Sequence, residues 1–136
     1  MRFHWRRLRA GELDHELIWL LVSVATAVLG TAWLRFGLPW PRCTFLAVTG
    51  LPCVTCGATR AAVAFLAGDT IGAWLMNPLV AVLLCVLVLF DLYAAAVLIA
   101  RAPRLRISLT HPSAWRGIAA AAVLVGLLNW AYLLTL

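Results

Sequence analysis

Residues 43–67, CTFLAVTGLPCVTCGATRAAVAFLA, decide how many times this chain crosses a membrane. The stretch is apolar enough to span, yet Gly50, Pro52, Gly57 and Arg60 interrupt it. It also carries three of the four cysteines. Two of these stand at the Cys-x-x-Cys spacing that suits metal binding or disulfide chemistry and that packing alone seldom requires. The rest of the chain reads as membrane-embedded. Its 136 residues are 65% hydrophobic and 12% charged, against about 45–50% and about 25% in a soluble domain, so the expected class is a polytopic membrane protein.

The arginines choose between two topologies. All eleven basic residues are Arg, and eight form two clusters, Arg2, Arg6, Arg7 and Arg9, then Arg101, Arg104, Arg106 and Arg116. Both flank apolar runs, which is the footprint of topology signals and anionic lipid head groups, not of nucleic acid. A full crossing by residues 43–67 makes four spans and places the clusters on opposite sides. A segment that dips in and returns makes three spans and keeps both clusters in the cytoplasm, with Arg35, Arg42 and Arg60 outside or re-entrant. The positive-inside rule selects the second. The N-terminus is then cytoplasmic, the C-terminus outside, and the cysteine segment enters from the outer face, covered by protein or a wet cavity.

The expected fold class is therefore an all-α membrane protein. Three transmembrane helices lie at residues 17–34, 78–100 and 117–136, with a re-entrant cysteine-containing loop and half-helix at 43–67 and a short interfacial helix at 70–76. Residues 1–16 form a basic cytoplasmic segment on anionic lipid, and residues 17–136 a single membrane domain. The first run is 18 residues long, about 27 Å as a helix. Glu12, Asp14 and Glu16 precede it, which argues against a cleaved signal peptide ending near Gly30-Thr31-Ala32. Asn77-Pro78 reads as an N-cap followed by the first helical residue, and Gly68-Asp69 as a helix end followed by a cap. Ala119 to Ala122 and Gly126 would let the third span approach its neighbours closely. Trp33, Trp40, Trp74, Trp130 and Tyr132 suit an interfacial belt.

Cys53 and Cys56 flank a tight turn that opens a helix, with Thr55 as its expected N-cap. The helix N-terminus, and Arg60 one turn on, would make Cys56 the most acidic thiol. Cys43, ten residues before Cys53, can return as a third sulfur. Three functions stay open. One is an accessory protein whose cysteine segment, stapled by a disulfide or a metal, helps bind a larger membrane partner or a second copy of the chain. Another is a thiol–disulfide oxidoreductase in which Cys53 and Cys56 exchange, Cys43 resolves and Arg60 assists. The third is an extracytoplasmic site for zinc, copper or iron on Cys43, Cys53 and Cys56, with a fourth ligand not evident in the sequence. A metal-free disulfide is equally open, because thiols outside the cytoplasm are usually oxidised. Cys85 reads as packing. Asp91 lies near mid-membrane, where a charge costs about 2.5–3.5 kcal/mol, so a polar layer with Thr26 and Asn129, or a pairing with Arg60, is expected.

Taken together, Cys43…Thr49-Gly50-x-x-Cys53-x-x-Cys56-Gly57-x-Thr59-Arg60-Ala61…Gly68-Asp69…Asn77-Pro78 resembles a bacterial family of small integral-membrane proteins known as domain of unknown function 2752. The resemblance covers about residues 43–80 and continues through the second span. Two prolines usual in that family's segment are replaced here, by Thr44 and Val54. The resemblance implies a bacterial inner-membrane location and a shared cysteine segment, and no activity.

Overall fold

The computed structural model describes residues 2–6, 12–39, 43–108 and 112–136. Among the described residues six helices follow in order: α1 (His15–Arg35), α2 (Thr44–Thr49), α3 (Ala58–Leu66), α4 (Thr70–Met76), α5 (Pro78–Ala100) and α6 (Pro112–Leu133). β1 (Arg2–Arg6) pairs antiparallel with β2 (Arg104–Ser108). Three helices, His15–Arg35, Pro78–Ala100 and Ser113–Leu133, are long and apolar enough to cross a membrane. At most 11% of their most apolar windows is buried within the protein, so lipid must cover these surfaces. The chain is a multi-pass, almost wholly helical membrane protein.

Local chemistry sets the helix ends. Asp14 caps α1 by accepting from the Leu17 N–H at 3.2 Å, and Glu16 adds negative charge to the first turn. The acidic residues ahead of the first run are thus its start signal. α6 begins at Pro112, five residues before the expected 117. Pro112 is the helix's first residue, where a missing N–H costs nothing.

The chain divides into two compact units. The first comprises Met1–Trp40 with Leu87–His111. In it Arg104 pairs with Asp14 and, at 3.2 Å, with Glu16; Arg106 also reaches Glu16 at 3.2 Å, and Arg6 reaches Glu12 at 2.9 Å. Glu16 is only 4% exposed, so its charge needs these partners. Arg6, Arg104 and Arg106, read above as topology and head-group charges, are therefore engaged within the protein. The Tyr93 hydroxyl accepts from the Leu105 N–H at 2.9 Å, fastening β2 to α5. Arg7, Arg9, Trp40, Arg42 and His111 lie outside the described residues.

The Asn129 amide bonds to Leu79 and Val54. Asp91 keeps one buried carboxylate oxygen without a hydrogen-bond partner among the described residues, and Thr26 is exposed.

The second unit comprises Pro41–Val86 with Pro112–Leu136. Its core is Ala61, Ala73 and Ala81, with Ala64, Phe65 and Val80 packed against them. Small side chains let α3 and α4 approach closely. Asp69 caps α4 by accepting from the Gly72 N–H at 2.7 Å. Asn77 caps α5 by accepting from the Val80 N–H at 3.1 Å, as its place before Pro78 suggests.

Candidate metal centre

Each sulfur is placed by a distinct piece of local structure. Cys43 is the N-cap of α2, its Sγ accepting from the Leu46 N–H at 3.5 Å. α2 ends at Gly50, which adopts φ 72°, a left-handed conformation that Gly takes without a Cβ penalty. Pro52 follows, and the chain then turns through residues 53–58. The Cys56 N–H bonds the Cys53 carbonyl at 2.9 Å, and the Ala58 N–H bonds the Thr55 carbonyl at 3.0 Å. α3 opens on Gly57, at φ 81°. Thr55 is therefore not the helix cap: the turn consumes two more residues than its spacing suggested, and its hydroxyl lies 3.4 Å from Cys53 Sγ instead.

Gly57 has a further reason to lack a side chain, since a Cβ there would stand 3.2 Å from the Met76 carbonyl oxygen. Gly57→Ala is expected to destabilise the folded protein by about 1–2 kcal/mol from the left-handed backbone alone. Thermal unfolding in detergent would measure this loss.

The turn brings the three thiols together. Cys43 Sγ is 3.4 Å from Cys53 Sγ, and Cys53 Sγ is 3.7 Å from Cys56 Sγ. All three lie within 4.8 Å of one another, and no disulfide joins them. Thiolates about 2.3 Å from one tetrahedral ion stand about 3.8 Å apart. The three sulfurs are close enough to share one ion. Among the described residues no fourth His, Cys, Asp or Glu joins the group.

Every sulfur also has a hydrogen-bonding neighbour suited to a thiolate. Cys43 Sγ has the Leu46 N–H, Cys53 Sγ has the Thr55 hydroxyl, and Cys56 Sγ accepts from the Cys53 N–H at 3.3 Å. The Thr55 hydroxyl lowers the Cys53 pKa to about 7, against the opposing effect of partial burial. Burial pushes the Cys56 thiol up. Cys53, not Cys56, is thus the acidic thiol, and it stands between its two companions. Cys56 lies outside α3, which starts only after Gly57. Arg60 is exposed and makes no hydrogen bond or ion pair among the described residues; its guanidinium lies beside Gly57.

These directions can be checked by alkylation. Because the thiolate is the reactive form, Cys53 should react faster as pH rises through about 7. Thr55→Val removes the hydroxyl and should move that midpoint upward. An unchanged pH profile in the variant would discount the hydroxyl's role.

Helices distant in sequence hold the turn in place. The Trp130 indole N–H donates to the Pro52 carbonyl at 2.7 Å. The Asn129 amide donates to the Val54 carbonyl at 3.0 Å, and Asn77 donates to Val54 at 3.2 Å and to Cys56 at 3.0 Å. The Tyr132 hydroxyl donates to the Leu75 carbonyl at 3.0 Å. Trp130 and Tyr132, read as interfacial anchors, thus give their polar atoms to the protein. The sequence does hold a signal for this: Asn129 and Trp130 are adjacent donors in the otherwise apolar run from Gly117 to Ala131.

No match was found among curated proteins or among solved structures. Residues 43–90, which hold the three cysteines, α3, α4 and the first half of α5, match the model of the family described as protein of unknown function DUF2752, the family that the cysteine motif resembles.

Proposed function

We propose that this is a bacterial inner-membrane protein whose Cys43, Cys53 and Cys56 form an extracytoplasmic site for one soft metal ion. That ion would tie the start of α2 to the turn before α3, as a structural element of the membrane domain. The observation that carries the reading is the approach of three Sγ atoms to within 4.8 Å of one another without a disulfide. Thiolates prefer zinc, copper(I) or iron over hard cations. The outer placement is supported by the arginines: α5 starts beside the site at Pro78 and ends at Ala100, just before Arg101 and Arg104, whose side the positive-inside rule assigns to the cytoplasm. Titration of the detergent-purified, reduced protein with cadmium, followed by thiolate-to-metal charge-transfer absorption, should saturate at one equivalent. No such band, with every thiol freely alkylated, would overturn the reading.

The acidity of Cys53 favours one second reading, thiol–disulfide exchange. The Cys53 thiolate would attack a substrate disulfide and release one substrate thiolate; Cys56 or Cys43 would then attack the mixed disulfide and free the second. A mixed disulfide that accumulates in the Cys43→Ser, Cys56→Ser double variant and turns over in the wild type supports this reading. Failure to form one leaves metal binding alone.

A further inference from the structure

Three alternate carbonyls of the cysteine turn accept from side chains outside it. Those of Pro52, Val54 and Cys56 are bonded by Trp130, by Asn129 and Asn77, and by Asn77 respectively. With the carbonyls committed to these donors, the turn keeps the Cys53 N–H for Cys56 Sγ. The two amides cannot flip to serve other partners. Asn77 Oδ1 accepts from the Val80 N–H at 3.1 Å and Asn129 Oδ1 accepts from the Leu79 N–H at 2.9 Å. Both donors belong to the first turn of α5, where no intrahelical acceptor exists. Asn77 is fully buried and Asn129 is 6% exposed, so a flipped amide would leave both a carbonyl and an N–H unpaired away from water.

We propose that Asn77, Asn129 and Trp130 are positioning residues for the three thiols, holding the turn so that the sulfurs stand at single-ion spacing before a metal arrives. This rests on the soft-metal reading above. The network does more than brace helices. Its three donor nitrogens make four hydrogen bonds, and all four end on alternate carbonyls of the one segment that carries the thiols. Outer-shell partners of this kind typically matter 10–100-fold in metal affinity.

Trp130→Phe tests the proposal with little change of shape, since it keeps an aromatic ring and removes the N–H. Tyr132→Phe is the matched control: it removes a hydrogen bond of similar length that ends on Leu75 of α4 and not on the cysteine turn. Cadmium affinity, and the ligand-field spectrum of the cobalt(II) form, would be measured for wild type, Trp130→Phe, Asn129→Leu and Tyr132→Phe, alongside helicity. The expected result is wild-type helicity and affinity in Tyr132→Phe, and wild-type helicity with affinity down about 10–100-fold and a shifted cobalt spectrum in Trp130→Phe. Wild-type affinity in both Trp130→Phe and Asn129→Leu overturns the positioning role while leaving the metal site standing. An equal loss in Tyr132→Phe also overturns it, by showing a general loosening of the fold. If Asn129→Leu fails to fold, Trp130→Phe decides. A wild-type protein that takes up no metal overturns the underlying reading and this one with it.

Discussion

Cys53→Ser is expected to lower metal affinity more than about 100-fold, because even outer-shell losses typically cost 10–100-fold. Cys53 is the central sulfur, 3.4 Å from one companion and 3.7 Å from the other. Without it, two thiolates remain and no third replaces it among the described residues. Chelator competition would measure the loss. Cys85→Ser is the control and should bind like wild type, since Cys85 lies exposed on α5 in an apolar groove with Phe65, Trp74 and Val86. Acidity adds a second signature. Metal binding expels thiol protons, so apparent affinity should fall as pH drops through about 7, where Cys53 takes up its proton. Cys56, with its raised pKa, already competes with protons above that pH. A flat pH dependence between pH about 6 and about 8 would contradict thiolate ligation.

Asn77→Ala is expected to reduce stability by about 2–4 kcal/mol. The amide is fully buried and makes three hydrogen bonds, two that link it to the cysteine turn and one that caps α5. Truncation leaves the Val80 N–H without its cap, typically about 0.5–2 kcal/mol. It also strands the Cys56 carbonyl, and a buried unsatisfied group costs about 1–3 kcal/mol. The Val54 carbonyl keeps Asn129 and should cost little. Asn77→Asp keeps an acceptor for Val80 but turns both donors into acceptors facing carbonyls, so it should be no milder than Asn77→Ala. Unfolding in a mixed-detergent titration would measure both, and a loss below about 0.5 kcal/mol would show that the turn is held by other means.

These two residues also mark what can be read from a chain and what cannot. Asn77 is legible as a cap because capping is a local rule, fixed by the Pro that follows it. Asp69 is legible in the same way, and α1, α5 and α6 announce themselves through long apolar runs. The convergence of Cys43 with Cys53 and Cys56 is legible from spacing, since a short loop suffices to return the chain. The second role of Asn77 is not, because its donors serve Val54 and Cys56, 23 and 21 residues upstream. Asn129 and Trp130 reach 75 and 78 residues back along the chain, and no local rule predicts such a partner. The order of thiol acidities inverted for a related reason. It depends on the Thr55 hydroxyl and on burial, which only the folded turn defines. The β1–β2 pairing was open to view in one respect: Leu105 and Ile107 alternate with Arg104, Arg106 and Ser108, a period of two that indicates a strand. Its partner lies at the far end of the chain, and the dominant reading of both segments was charge.

X-ray absorption at the metal edge of the reconstituted wild-type protein tests the central claim most directly. The account predicts three sulfur scatterers at about 2.3 Å around one ion. A shell of nitrogen and oxygen alone would contradict it, as would a metal-free protein whose intact mass is lower by the two hydrogens of a disulfide.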